Sequence, residues 1–593
     1  MTTFTPGYQG SETSRAEVTV YSRNVENPFG ASDKAGAGFY TFRGETRGNS
    51  EPMLVSVQTR KIMGQASGTF SFEIKVRASD DQNFRFLLAD DDWVDIVFSR
   101  HERRFHVMRG LIDDVRRLKA APGATTLTYR ISGRDFGKVF ESTPFWFDRV
   151  TQGNVMAAAA SRIWSEHHDF AAGRIDTTVA SLLLGFLRPN GNHGSAFWEL
   201  PGSMPGVVTV DNSTSFANNI IIWNGDFTNI PARSSTLYPP FFATENQYVW
   251  ELANSWADLM LCELYVDLVR ADGGTTSRGI YLGEDEEIEP QDTQMAVIIR
   301  DRPFPNTVRD TVLQNSPYFR RVPLFTVPTY GVSSTELGRS GRERKNTFFF
   351  SPQMFAELMP GFQDMQIPLA AITDVDDHGM RRLDAFSRYI NTKTEDSYIT
   401  MAQDYRKIVR DIHCLNHLFL NGSVVLNHSR PDIRIGGRLR IAGRTQKEDE
   451  TFYIEGVYHS WDLVNGARTA VDVSRGWVGT DQSLIDQLND KIGEYFLLED
   501  TGPASNTAVP FLNPIVSFLE TNSSALAADS PSSAAAPTAG EQAEPTSRVW
   551  TPQVGILKPG FDIDGEGNIS PVSGDQLSGP GAPTGTVIPK KGF

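Results

Sequence analysis

Two cysteines in 593 residues, Cys262 and Cys414, are too few for a disulfide framework or a cysteine-based zinc site. Their scarcity fits assembly in a reducing compartment. A surplus of positive charge is also missing: 56 Lys and Arg against 72 Asp and Glu leave a formal net charge of −16. Binding nucleic acid by neutralising phosphates needs a basic surface, so bulk DNA binding is disfavoured. This sign of charge suits a protein that DNA merely passes. Long apolar runs are absent too. The longest, VASLLLGFL at 179–187, is half of the roughly 18 residues a membrane helix needs, so no membrane span is expected. The start, MTTFTPGYQGSETSR, has no apolar core and so no expected secretion signal. GLIDDVRR and GGRLRIAGR lack the glycine spacing and helix of a phosphate cradle.

What is present is aromatic and strand-like. The chain holds 37 Phe, 16 Tyr and 10 Trp, residues that favour sheet surfaces and interfaces. After a loose Gly- and Ser-rich start over residues 1–50, strand-like segments crowd together: MLVSVQTRKI (53–62), GTFSFEIKVR (68–77), WVDIVFSR (93–100), RFHVMRGLIDDVRRL (104–118) and TLTYRISGRD (126–135). Most alternate apolar and polar side chains, the mark of a half-buried strand. Strands this short and close predict a small barrel or sandwich over 1–140.

Residues 141–240, rich in Phe, Trp, Pro, Asn and Gly, read as an insertion with helix around 155–187. Residues 241–410 read as a middle α+β domain, with helical periodicity over 245–268 and a buried strand at AVIIRDRPFP (296–305). SSTELGRSGRERKNTFFF (333–350) reads as a polar loop entering an apolar strand. Residues 380–421 read as helices, stopped at Asn421-Gly422. Strand character returns over 411–482 in SVVLNH, DIRIGGRLRIAG, TFYIEGVYHSW and ARTAVDVSRGW. An amphipathic helix at 483–500 follows, with Leu484, Leu488 and Ile492 on one face and Ser483 as its candidate cap. From 501 to 593, 53 of 93 residues are Gly, Pro, Ala, Ser or Thr, too little apolar surface to offset ordering entropy. That predicts a disordered or extended tail with two apolar islands, 509–519 and 548–564. The expected fold class is mainly β with an α+β middle region: two related small β-barrel domains, helical and mixed insertions, and the tail.

The two barrels are expected to be related because VMRGLIDDV (107–115) and YIEGVYHSW (453–461) share an order of features. Each reads strand, Gly, strand, after a polar stretch and before an alternating strand that leads to another Gly. The pivotal glycines are Gly110 and Gly456. With FHVMRGLIDDVRR and TLTYRISGRDFGKVF near the start, and LNGSVVLNHSRPDIRIGGRLRI, FYIEGVYHSW and ARTAVDVSRG near the end, the chain resembles the central baseplate hub family of tailed bacteriophages. The base of type VI secretion spike proteins shares that fold. The match covers residues 85–140 and 410–477 and, loosely, 245–350. The resemblance implies a homotrimer whose six barrels form a pseudo-sixfold ring. That ring would join a sixfold tail tube to a threefold central spike. It would also contact other baseplate proteins and a tape measure protein, and pass DNA only in transit. The implied location is the virion tail baseplate, assembled in host cytoplasm.

Several residues invite a chemical reading. His167-His168-Asp169 suggests a metal pair, but adjacent residues do not face one way. His413 and His417, flanking Cys414, sit one helical turn apart, yet no third ligand is evident. Asp90-Asp91-Asp92 and EDEEIEP (284–290) lack calcium-loop spacing and read as solvated acidic loops. Asp113, Asp114 and Glu455 would have to converge to act as a glycosidase pair, and they fall in different domains. Arg339, Arg342, Arg344 and Lys345 make a basic loop suited to an electrostatic contact. No catalytic, cofactor or metal residue is assigned, and the expectation is a structural protein rather than an enzyme. The alternatives are a tail-associated peptidoglycan hydrolase or carbohydrate-binding tail protein, and a β-rich adhesin without paired barrels.

Overall fold

The structure is a computed structural model of the chain. It describes residues 14–22, 39–45, 53–78, 88–118, 125–143, 179–180, 183, 199–210, 214–223, 248–272, 279–304, 316–352, 369–387, 407–496, 561–563 and 569–571. Residues Met1–Ser505 form one compact unit and Asn506–Phe593 a second.

The first unit is built from strands, as expected. β1 (Arg15–Tyr21), β2 (Phe39–Glu45), β3 (Leu54–Ile62), β4 (Thr69–Arg77), β5 (Trp93–Arg100), β6 (Arg103–Leu118) and β7 (Thr126–Asp135) lie in the antiparallel order β2-β1-β5-β6-β7-β4-β3. The predicted segments at 53–62, 68–77, 93–100, 104–118 and 126–135 are β3 to β7. β1 corrects the loose reading of residues 1–50. Its sequence RAEVTVY alternates, and Ala16, Val18 and Val20 are buried. They join Phe42, Val57, Phe72, Ile96, Phe98 and Ile131 in one core. Burying such side chains contributes roughly 1.5–3 kcal/mol each. The array curls on itself: at Gly44 of β2, an added Cβ would lie 2.1 Å from the ring of Trp461, which pairs with Val57 of β3 at the other end of the strand order.

A middle layer follows. α1 (Val249–Trp256) leads to β9 (Cys262–Arg270), which pairs with β10 (Thr293–Asp301), itself parallel to β8 (Ile220–Trp223). The helical reading of 245–268 therefore holds only to Trp256. Eight of the nine β9 residues are buried, and a strand covered on both faces loses the two-residue period that would reveal it. β11 (Leu324–Pro328) and β12 (Val332–Gly338) come next, so the polar loop read from 333 is a strand over its first half. β13 (Thr347–Pro352) lies between β14 (Leu369–Ala370) and β15 (Arg382–Ser387), with α2 (Ile372–His378) in the connection. Hence 380–421 is not helical throughout. Among the described residues it holds β15, a helical run over 407–413 and the start of a further strand; residues 388–406 of that prediction lie outside those described. Of the region around 155–187, Val179, Ala180 and Leu183 are helical and buried. The rest of that prediction lies outside the described residues.

The second strand set is β16 (Leu420–Leu426), β17 (Arg438–Ala442), β18 (Glu450–Asp462) and β19 (Gly466–Val478), joined by β11 and β12 in the order β12-β16-β19-β18-β17-β11. Asn421-Gly422 is no helix stop. It lies inside β16, at a bulge where Gly422 has φ +156° and an added Cβ would lie 1.8 Å from the Glu336 carbonyl oxygen. α3 (Asp481–Phe496) packs Leu484, Ile485 and Leu488 inward. Its cap is Thr480 rather than Ser483: the Thr480 hydroxyl accepts from the Ser483 N–H at 3.2 Å.

The two strand sets are hydrogen-bonded into a single 13-stranded sheet. The link is β18. One of its edges pairs with β19 along its length. The other pairs with β17 through residues 450–453 and with β3 through 456–462. The change falls at a bulge between Ile454 and Gly456, where Glu455 is exposed. β6 also changes partners, but across its two edges: residues 103–111 pair with β5 on one edge and 110–118 with β7 on the other, so both ladders meet at Gly110 and Leu111. In the second unit, β20 (Phe561–Ile563) and β21 (Ile569–Pro571) form an antiparallel pair. Both lie within the predicted tail, and the remaining residues of that prediction are outside those described.

Candidate functional site

The two partner-changing points are tied together by buried charge. Asp135 of β7 sits opposite Gly110, and Lys61 of β3 sits opposite Val457, next to Gly456. The Lys61 ammonium lies 3.3 Å from Asp135 and 3.0 Å from Asp267 of β9. Arg434, in the loop before β17, stands 3.9 Å from Asp267 and donates to the carbonyls of His106 and Val107 on β6. One chain of ions thus crosses from the first strand set through the middle layer to the second.

Two further clusters flank it. Beside β6, Asp95 accepts two bonds from Arg109, at 2.7 and 2.9 Å, and one from Tyr21 at 3.1 Å. His106 bridges Asp95 (3.1 Å) and Thr293 of the middle layer (2.7 Å). Beside β18, Arg300 donates to Glu263 (2.9 Å), to the Gly436 carbonyl (2.8 Å) and to Tyr453 (3.0 Å). The Tyr453 hydroxyl in turn donates to Glu263 at 2.7 Å. All of these side chains are nearly or fully shielded from solvent.

Burial would push the Asp95 carboxyl up, but the Arg109 guanidinium and the His106 ring hold it well below the usual carboxylate range. Burial drives the His106 ring down, against the pull of Asp95. Asp135 differs: burial outweighs Lys61 and pushes it up to about 6. His459, behind the same joint, is pushed down by burial to about 3. These groups are paired, shielded and fixed in place. Chemically, the arrangement holds three layers in one geometry; breaking one such pair leaves an uncompensated buried charge.

The residues singled out from the sequence fall as follows. EDEEIEP is not a solvated loop. Ile288 forms a bridge with Phe105 on the open edge of β6, and its N–H and C=O bond the backbone of Arg104 and His106 at 2.9 Å. Glu289 pairs with Arg104 (3.0 Å), Asp285 with Arg100 (2.9 Å), Glu286 with Arg270 and Glu284 with Arg430 (3.1 Å). Arg430 also holds Asp432 at 2.7 Å. The acidic segment is therefore a strap from the first strand set to the second.

Asp91 receives Lys138 at 2.6 Å, and buried Asp92 accepts the Ala89 N–H at 2.9 Å. Asp91 and Asp92 thus brace a turn, which corrects their solvated reading, while Asp90 is exposed as expected. Asp113 pairs with Arg134 and Lys138, both at 2.8 Å; Asp114 pairs with Arg116; Glu455 points to solvent from the β18 bulge. Asp113 and Asp114 are thus neighbours on β6 taken by different partners, while Glu455 stands exposed on another strand. His413 lies between the Met260 carbonyl and Asn416, at 3.4 and 3.3 Å, and burial drives it down to about 3. Cys414 is buried, its thiol pushed up to about 12. Among the described residues no group of three or more His, Cys, Asp or Glu is arranged to hold a metal. His167-His168-Asp169 lies outside the described residues. In the basic loop Arg339 and Arg342 are exposed, while Arg344 is taken by Asp374. Among the described residues no helix is long and apolar enough to cross a membrane.

The joint escaped the sequence reading, although a signal existed. Asp95 in WVDIVF, Glu263 and Asp267 in CELYVDL, and Arg300 in AVIIRD are charges inside apolar strands. A charge at an inward position needs a partner, and that partner lies far away in sequence.

No family model matches the chain. No curated protein matches it either. Solved structures similar to it include the tail protein from Neisseria meningitidis MC58, at 10% identity and a TM-score of 0.39, covering 77% of this chain and 96% of that one. Another is the 43 kDa tail protein of prophage MuSo2 from Shewanella oneidensis, at 12% identity and a TM-score of 0.38, covering 77% and 98%. A third is the E. coli c3393 protein, described as a component of the type VI secretion system, at 9% identity and a TM-score of 0.31, covering 73% and 78%. Likenesses at these scores carry no argument about function, which rests on the residues and their geometry.

Proposed function

We propose that this chain is a structural hub subunit of a phage tail or phage-like injection device, working by assembly rather than catalysis. Three copies form a ring of six barrels, two from each subunit. The ring seats a sixfold tail tube on one side and a threefold central spike on the other. A symmetry match of this kind needs two alike units per chain, held rigidly to one another. The observation that carries the reading is the joint: two strand–Gly–strand pivots, at Gly110 and Gly456, linked by the buried Lys61–Asp135–Asp267 ions. The net charge of −16 suits a channel that DNA traverses without sticking.

The test is the mass of the purified protein in solution, by light scattering. The expected mass is three times 65.8 kDa, alone or on mixing with tube and spike subunits. A monomer in both conditions would overturn the hub reading.

A further inference from the structure

The sheet face beneath the start of α3 carries buried polar atoms that nothing in the chain satisfies. Arg438 and Arg440 of β17 stand opposite Tyr453 and Thr451 of β18, and Thr451 stands opposite Trp477 of β19. Opposed residues share a face, so Arg438, Arg440, Thr451 and Trp477 point the same way. Tyr318 covers them: its ring lies 5.0 Å from the Arg438 guanidinium and 5.9 Å from the Trp477 ring. On this face the Arg438 Nε and Nη1, the Arg440 Nε, the Trp477 Nε1, the Thr451 Oγ1 and the Tyr318 Oη are buried without a hydrogen-bond partner. Native proteins leave few such atoms, and each asks for a ligand or water. All six can donate.

The charge is also unbalanced. Two guanidiniums share a single carboxylate, Asp481, the first residue of α3. Its Oδ2 stands 3.6 Å from Arg438 and 3.5 Å from Arg440, while its Oδ1 is buried without a partner. The 16-residue helix α3 adds the positive end of its dipole at the same place. The mouth is at Arg440 and Asp481, whose side chains are 28% and 22% exposed.

We infer that this face is a binding site for a small tetrahedral oxyanion of the phosphate or sulfate class, with Asp481 as its internal competitor. Two guanidiniums, hydroxyl and indole donors and a helix N-terminus are the groups that recognise such an anion. The Asp481 carboxylate satisfies them poorly. Its contacts with both guanidiniums are long, and a four-oxygen anion would offer the donors more acceptors than one carboxylate does. The inference stands independently of the hub reading.

The experiment is thermal unfolding of the full chain in inorganic phosphate, in sulfate and in chloride at matched ionic strength. Asp481→Asn and Arg440→Gln variants are measured alongside. Arg438 is too deeply buried to replace safely, whereas Arg440 reaches solvent. Phosphate or sulfate is expected to raise the melting temperature above the chloride value. Asp481→Asn should bind phosphate roughly tenfold more tightly, the worth of one charge-assisted bond. Arg440→Gln, measured against its own chloride melting temperature, should lose the anion response. A folded Asp481→Asn variant that melts identically in all three salts would overturn the site and leave the orphan donors to buried water. An anion response undiminished in Arg440→Gln would place the binding elsewhere and equally overturn it.

Discussion

β6 and β18 share one motif, a long strand that changes partners at a glycine, yet the two glycines stand in different surroundings. At Gly110 an added Cβ would lie 2.3 Å from the Arg134 carbonyl oxygen and 2.8 Å from the Asp135 Cα, both backbone atoms of β7. At Gly456 the nearest atom would be the Asp472 carboxylate, 2.8 Å away on an exposed side chain free to turn. One pivot is walled by the main chain and the other by a movable group. The first strand set therefore has no slack where it meets the joint, while the second keeps some. A motif alone reports where a strand turns from one neighbour to the next. Its neighbours decide how much that turn can tolerate.

The largest expected effect lies beside the second pivot, in its ions rather than its glycine. Glu263→Gln leaves Arg300 buried without an anion. It should cost about 3–5 kcal/mol, the usual penalty for breaking a fully buried pair. Replacing Glu263 and Arg300 together by Leu and Met should recover much of that loss, because the pair's attraction is largely offset by its desolvation. Urea unfolding of the three variants checks both statements. If Glu263→Gln loses less than about 1 kcal/mol, the joint is not held by this pair.

Next comes the glycine contrast itself. Gly110→Ala should cost about 3 kcal/mol, the upper end for overpacking, because backbone must move. Gly456→Ala should cost under about 1 kcal/mol, since the Asp472 side chain can swing outward. Equal losses for the two would break the comparison between the pivots.

Much of this fold was legible in the sequence because its strands alternate. β3, β4, β7 and β19 each bury mainly one face, and a period of two is visible in VSVQTRKI or TAVDVS. β9 was misread because both of its faces are covered, and β12 because its residues are mostly exposed. Neither leaves an alternating pattern. The Gly110 and Gly456 echo was legible as a repeat, but not as a pair of connected pivots. The connection runs through Lys61, Asp135 and Asp267, which lie up to 206 residues apart. Pairing over such separations has no local signal. The acidic strap was misread for the same reason: the arginines that neutralise Asp285 and Glu289 sit on β5 and β6.

A smaller effect separates the ions of the joint by pH. Asp135 is pushed up to about 6, above its unfolded value of 3.8. Its contribution to stability is therefore fully present below about pH 4 and lost as pH rises through about 6. Raising the pH from about 4.5 to about 6 should cost the native chain about 1.5 kcal/mol through this group alone. The neutral buried rings of His413 and His459, both near 3, act oppositely. Their stabilisation is present above the free histidine value and lost as pH falls below it. The readout is hence a difference between two proteins. Asp135→Asn keeps the histidine dependence and should lose the Asp135 component. Parallel pH profiles for the two proteins would show that Lys61 holds Asp135 charged throughout.

The smallest effect is expected at the strap. Asp285 pairs with Arg100, but its side chain is 49% exposed, so solvent screens the bond. Asp285→Asn should cost under about 1 kcal/mol, and less in high salt. Its neighbour Glu284 meets Arg430, whose charge is already satisfied by buried Asp432 at 2.7 Å, so Glu284→Gln should be equally mild. What fastens the strap is backbone: Ile288 bonds β6 through both its N–H and its C=O. Removing either charge leaves those bonds intact, whereas Ile288→Pro removes the N–H that donates to the Arg104 carbonyl. The proline variant should therefore exceed both charge variants in urea unfolding. If the charge variants match or exceed it, the strap is an electrostatic clasp rather than an added strand.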